Sequence, residues 1–230
     1  MVSSVYMSEG KIGVFFQMVA TLYAIVTGFT LWRAVADFTE LDMSLRKEAN
    51  QINSLSCFLD FFDNVDDTET LASIKRIRVA LKEYCDDVLA LTAVGGSNEN
   101  ESRIRECIAC CEYLKTPEEN DRIALDGVIK GLARLSEIRT ERITISKLRI
   151  SPFLSFLLLL LALITVSFFF LFDAREIGLS HTIIPFLAFI HTFIIVMLLD
   201  IYYPYGGYWV ANSEPFVDVK ERLLYDIANK

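Results

Sequence analysis

The sequence predicts an all-α integral membrane protein, with three transmembrane helices and a cytoplasmic helical bundle built on long extensions of the membrane helices. Three observations predict it. Residues 12–32, 152–172 and 182–199 are apolar and hold no Asp, Glu, Lys or Arg. An apolar heptad pattern carries on beyond the first of these stretches. Of the 22 basic residues, 17 fall between residues 33 and 151.

A helix rises about 1.5 Å per residue and the hydrocarbon core of a bilayer is roughly 30 Å thick, so about 20 apolar residues make one crossing. The first stretch meets that length. A cleaved secretory signal would show a basic start, a shorter apolar core and a small-residue cleavage site, and Glu9 with a single Lys11 fits that poorly. The second stretch is the most apolar, through the leucine run at 157–161 and Phe168, Phe169 and Phe170. The third carries His191. It is followed by Tyr202, Tyr203, Tyr205, Tyr208 and Trp209, the composition of an interfacial aromatic belt.

Between the first and second spans the pattern is helical throughout. Phe38, Leu45, Ile52 and Leu59 form one row and Leu41, Leu55 and Phe62 another, a helix-packing seam. No Pro or Gly interrupts residues 32–63, so the first span is predicted to continue as one helix of about 50 residues, roughly 75 Å, projecting as a stalk. A turn is expected at 64–68. A second helix follows at 69–94 with Leu71, Ile74, Ile77, Leu81 and Val88, then a flexible stretch at 95–101 and a third helix at 102–114. Thr116, Pro117, Glu118 and Glu119 supply a helix start, so a fourth helix is predicted from 117 to 150, with Pro152 marking a kink or break before the second span. The domain plan is residues 1–33, the first membrane helix and external amino terminus; 34–151, the cytoplasmic bundle; 152–200, a membrane hairpin; and 201–230, an aromatic and Gly-Pro motif with a terminal helix.

Orientation follows from the basic residues near the span ends. Arg33, Arg46, Lys47, Arg139, Arg142, Lys147 and Arg149 flank the middle segment, whereas the loop after the second span offers only Arg175. The positive-inside tendency therefore places 34–151 and the carboxyl terminus in the cytoplasm, and the amino terminus outside, in the inner (plasma) membrane. The net charge of −8 argues against nucleic-acid partners, because neutralising phosphates requires a basic surface. All five cysteines, at 57, 85, 107, 110 and 111, fall in the segment assigned to the reducing cytoplasm. Cys107, Cys110 and Cys111 lack a fourth zinc ligand, since His181 and His191 are placed elsewhere, so buried helical thiols and no metal or other cofactor are expected. Asp60, Asp63, Asp66 and Asp67 lack the regular spacing of a calcium loop.

Continuing the heptad register places Glu48 in the row of Leu41 and Leu55, where a carboxylate needs a partner. On the fourth helix, Leu125, Val128, Leu132 and Leu135 make a stripe that leads to Arg139 and Arg142. A structural ion pair of Glu48 with Arg139 or Arg142 is expected, the alternative being that all three are solvated. In the first span Gly13, Gln17, Thr21, Ala24 and Gly28 recur at spacings of three or four, beside bulky residues such as Phe16. The stripe has two compatible readings. Small residues let membrane helices pack closely. A water-filled pore in an oligomer would tolerate Gln17 and Thr21 and use apolar side chains such as Phe16 as a dewetting gate. His191 is costly to charge in lipid and should face protein or a cavity, either as a neutral, hydrogen-bonded ring or on an ion or proton path. Asp200, Pro204, Gly206, Gly207, Pro215 and Phe216 suggest a shaped turn, with Asp200 accepting backbone hydrogen bonds or capping a helix.

The 135–153 stretch with Arg139, Arg142 and Pro152, the Lys47, Glu48, Ala49 run, and above all Leu199, Asp200, Pro204, Tyr205, Gly207, Pro215 and Phe216 resemble the bacterial bestrophin-like domain family. The resemblance covers residues 20–227. Members of that family commonly have four spans, so it implies that the chain lacks the first. By its name the family suggests bestrophins: pentameric anion channels with an axial pore, membrane helices continuing into a cytoplasmic helical region, and apolar constrictions. The bestrophin neck and calcium clasp have no residue-by-residue match here. The expected function is a homo-oligomeric, anion-conducting channel whose partners are the lipid bilayer, further copies of itself (a pentamer by the resemblance) and inorganic ions. The rival is a non-conducting, membrane-anchored helical scaffold or sensor that binds a protein partner. An enzyme is disfavoured, since no nucleophile motif, metal cluster or pair of catalytic acids is apparent.

Overall fold

The computed structural model describes residues 9–62, 67–94, 101–116, 119–148, 151–172 and 177–229. Among them there are seven α-helices and no strand: α1 (Glu9–Leu59), α2 (Thr68–Val94), α3 (Glu101–Cys111), α4 (Glu119–Ser146), α5 (Pro152–Phe172), α6 (Ile177–Ile201) and α7 (Glu214–Asn229). α1 runs unbroken for 51 residues and passes into a 3-10 turn at Asp60–Phe62. The expected turn at 64–66, the stretch 95–100, Pro117, Arg149 and Arg175 lie outside the described residues. α6 begins five residues before the apolar stretch that announced it and accommodates Pro185 in its interior. That proline removes one backbone donor, which neighbouring groups in a membrane helix can compensate.

The chain divides into two compact units, and the division falls within α1. One comprises residues 1–36 and 149–202, the other 37–148 and 203–230. Residues 203–230 therefore belong with the middle of the chain.

In the first unit α5 packs on α6. The amino-terminal half of α1 reaches α5 through Phe16 stacked on Phe168, with ring centroids 4.1 Å apart. It reaches α6 through Tyr23 stacked on His191, at 4.6 Å. The outer surface of this unit is apolar: Val14, Phe15, Met18, Leu22 and Phe29 on α1, Phe156 and Leu163 on α5, and Phe186, Phe193 and Val196 on α6 are all exposed. Water would solvate such a surface poorly. Among the described residues two helices are long and apolar enough to cross a membrane, α1 from Gly13 and α6 over Ile183–Ile201.

The second unit is built the other way, with its apolar residues inside. Leu41, Leu45, Ile52, Leu55, Leu59 and Phe62 are buried, as the heptad rows require, with Phe38 partly so. They meet Ile74, Ile77, Leu81 and Val88 of α2, Val128, Leu132 and Leu135 of α4, and Phe216 and Leu223 of α7 in one core. Leu71 stays out of it and is exposed. Close packing of α1 on α4 depends on two glycines. A Cβ at Gly131 would lie 2.6 Å from Leu55 Cδ2, and one at Gly127 would lie 2.8 Å from the Phe58 ring. α7 is tied to α1 by Ser56 Oγ donating to Asp226 Oδ2 (3.1 Å), and to α2 by the Lys220–Asp86 ion pair (2.6 Å).

Candidate functional site

Two polar groupings stand out, one in each unit. In the second unit, Glu48 of α1 is fully buried and is met from two directions. Arg142 of α4 donates from Nε to Oε2 at 2.5 Å and from Nη2 to Oε1 at 3.3 Å. Tyr84 of α2 donates its hydroxyl to Oε1. The side chains of Glu48 and Arg142 are 0% and 3% exposed, so three helices are pinned by charge with almost no water. Burial and then the negative charge of Glu48 push the Tyr84 phenol well above its ordinary value, so it stays protonated and donates. Burial works against the Arg142 guanidinium, but Glu48 outweighs it and holds its pKa above the ordinary arginine range.

Arg139 is the cation that Glu48 does not take. It is also buried, and its Nε has no hydrogen-bond partner among the described residues. Tyr84 was missed by the sequence reading, although the α2 spacing Ile74, Ile77, Leu81, Tyr84, Val88 puts it on the buried stripe. Cys107, Cys110 and Cys111, expected as buried helical thiols, are buried, as is Cys85; burial raises the Cys85 thiol to about 12 and the Cys111 thiol to about 11.

In the first unit the small and polar stripe of α1 lies on the exposed side. Gly13, Gln17, Thr21, Ala24 and Gly28 are all exposed, and a Cβ at Gly13 or Gly28 would meet nothing within 4 Å. Thr21 turns its hydroxyl to the Gln17 carbonyl at 2.7 Å. Phe16 does not share that face, because its ring is held against Phe168. The inner face of α1 is Tyr23, Thr27, Thr30 and Ala34, all buried. His191 lies against it and its Nδ1 is 2.7 Å from the Leu187 carbonyl oxygen. A carbonyl only accepts, so Nδ1 is the donor of that bond, and Nε2 meets no hydrogen-bond partner among the described residues.

The tail motif forms a turn between α6 and α7. Asp200 lies in the last turn of α6, inside the helix. Pro204 accepts a hydrogen bond from Ala211 N at 2.9 Å and closes the loop that contains Gly206 and Gly207. Gly207 has φ 154°, a conformation that side chains disfavour. Asn212 caps α7 through Glu214 N (2.9 Å), and its own N–H reaches Asp42 Oδ1 at 3.0 Å. Pro215 occupies the first turn of α7, and Phe216 is fully buried in the core.

Helices of membrane-spanning length and apolar surface, joined in one chain to a water-soluble type of helical core, define a helical membrane protein. The sequence profile of the Bestrophin-like domain family matches residues 9–216, and the chain belongs to that family. No curated protein and no solved structure shows significant similarity to it.

Proposed function

We propose that the protein is a homo-oligomeric ion channel selective for anions. α1, α5 and α6 all cross the inner membrane, with the amino terminus outside. The unit of residues 37–148 and 203–230 forms a cytoplasmic vestibule. One observation carries the reading: Gln17 is exposed on α1 amid an otherwise apolar surface. An amide facing hydrocarbon without a partner costs several kcal/mol. Close packing against another copy, or water on an oligomer axis, relieves that cost, and the neighbouring Thr21, Ala24 and Gly28 fit both. Membership in a family named for its likeness to bestrophins supports the axial arrangement.

The test is purified protein in liposomes, together with the mass of the particle in detergent. The expected result is an oligomer that passes halide, with flux reduced several-fold by Gln17→Glu, which puts a negative charge on the path. A monomer, or a well-folded oligomer that passes no ion, overturns the proposal and leaves a membrane-anchored scaffold or sensor.

A further inference from the structure

α4 carries two stripes at helix-packing spacing, and the core of its own chain takes one of them. Val128, Leu132 and Leu135 are buried. Ala133, Ser136, Thr140 and Thr144 recur three or four residues apart on the other side. With Glu137 and Glu141 they line an open groove of about 690 Å³, room for several side chains of another helix. Thr140 and Thr144 return their hydroxyls to the Ser136 and Thr140 carbonyls, each at 2.8 Å, so the groove asks little of water. α1 repeats the arrangement. Leu41, Leu45 and Ile52 face the core, while Met43, Lys47, Asn50 and Ser54, again three or four apart, are exposed. Ser54 also returns its hydroxyl one turn back, to the Asn50 carbonyl at 3.0 Å.

The charges on these two faces separate into used and unused. Arg46 pairs with Asp42 (3.0 Å), Lys130 with Asp126 (2.6 Å) and Arg134 with Glu137 (2.5 Å), all within one helix. Glu40 and Lys47 on α1, Glu141 on α4 and Lys147 just past its end are exposed, and none has an ion-pair partner among the described residues. Their heights correspond. The level of α1 against α4 is set by Phe58 beside Gly127, Leu55 beside Gly131 and Glu48 bonded to Arg142. With the helices antiparallel, this places Lys47 within about one turn of Glu141 along the bundle, and Glu40 within about one turn of Lys147. A minus and a plus on α1 thus stand level with a plus and a minus on α4. Asn50 comes level with Ser136 in the same way.

We infer that the outer groove of α4 docks the exposed face of α1, residues 40–54, from a second copy of the chain. Lys47 of one copy meets Glu141 of the next, and Glu40 meets Lys147. Rotation about an axis that runs along α1 keeps each residue at its own height, so groups that are level within one chain meet between neighbours. Each copy offers the groove on one side and the α1 face on another. Such a head-to-tail contact builds a ring. The inference rests on the channel reading only in taking the copies to surround an axis of that direction.

The contact is tested without flux. Two full-length chains are co-expressed, both with Cys57→Ser to remove the exposed thiol, one carrying Asn50→Cys and the other Ser136→Cys. Membranes are treated with a short bis-maleimide. The expected product joins one chain of each kind and does not form from either chain alone. Adding Lys47→Glu to the Asn50→Cys chain sets two carboxylates against each other and should lower the yield several-fold, and Glu141→Lys in the other chain should restore it. If Ser136→Cys disturbs folding, Ala133→Cys replaces it. Absence of the mixed product from particles of wild-type oligomeric mass overturns the inference and leaves the channel reading with a ring closed by other surfaces. Asn50→Cys chains joined to one another, or a yield indifferent to Lys47→Glu, overturn it too. A monomeric particle overturns both readings, whereas the mixed product in an oligomer that passes no halide supports this contact and overturns the channel alone.

Discussion

Glu48 and Arg142, 94 positions apart, are joined by two hydrogen bonds in an interior that leaves the carboxylate no contact with water. The pair fixes the register of α1 against α4, since sliding either helix by one turn would separate a carboxylate and a guanidinium that have no other solvent. Removing both charges from water costs as much as their attraction returns, so the pair contributes specificity of packing more than net stability.

Single and double replacements therefore differ in outcome. Glu48→Gln or Arg142→Met alone leaves one uncompensated buried charge or its unsatisfied donors and is expected to cost about 3–5 kcal/mol. Glu48→Leu combined with Arg142→Met removes both charges and should recover most of that loss. Tyr84→Phe takes away one donor and keeps the ion pair, so a cost of about 1–3 kcal/mol is expected. Thermal unfolding of the detergent-solubilised protein measures all four. A double variant no more stable than the singles contradicts the argument.

The two glycines of α4 should respond differently to the same methyl group. Alanine gains about 1 kcal/mol over glycine in a helix interior, whereas overpacking costs about 1–3 kcal/mol. At Gly131 the new Cβ meets Leu55, which is buried and cannot retreat, and also approaches Gln51 Nε2 at 3.1 Å, whose donation to the Gly131 carbonyl would be disturbed. Gly131→Ala is therefore expected to destabilise. At Gly127 the obstacle is Phe58, which is only partly buried and can swing outward, so Gly127→Ala should be close to neutral. The difference in melting temperature between the two variants is the measurement.

Most of the soluble core was legible because its signal is local and periodic: the rows through Leu41, Leu45, Ile52 and Leu55 repeat every seven residues, and such rows bury. The choice between Arg139 and Arg142 was not, because both lie on one face and only the rotation and height of α4 against α1 decide which reaches Glu48. Tyr84 could have been found from its place on the α2 stripe, but its hydroxyl's target is a non-local fact. In the membrane-type unit the small residues of α1 drew attention to its outer face. Tyr23, on the inner face, reads as an ordinary span residue in the sequence, and its stacking on His191 is a non-local fact.

Thiol chemistry checks the burial assignments independently. A thiol reacts as thiolate, and a raised pKa makes thiolate scarce below that value. With Cys85 raised to about 12, roughly one molecule in ten thousand carries its thiolate at about pH 8. Cys107 is raised still further by burial, and burial also raises Cys110 and Cys111. Cys57 is exposed. One fast-reacting thiol per folded chain is expected, lost in Cys57→Ser, with the other four reacting readily only after denaturation. For Cys111, at about 11, the rate should climb about tenfold per pH unit towards that value for as long as the fold survives.

The same cysteine reports the orientation of the chain. Cys57 stands two residues before the end of α1, in the water-soluble type of unit and beyond the apolar part of that helix, and its thiol accepts from Arg222 Nη2 at 3.4 Å while remaining exposed. If residues 37–148 face the cytoplasm, a membrane-impermeant maleimide applied to intact cells leaves Cys57 unmodified, while the same reagent on inverted membrane vesicles modifies it. Arg222→Ala serves as the control, because it removes the guanidinium beside the sulfur without altering which side of the bilayer the sulfur occupies. Its reaction rate should change and its sidedness should not. Labelling of Cys57 in intact cells would place this unit outside, and the basic residues at the span ends would then have to be read as facing the external surface.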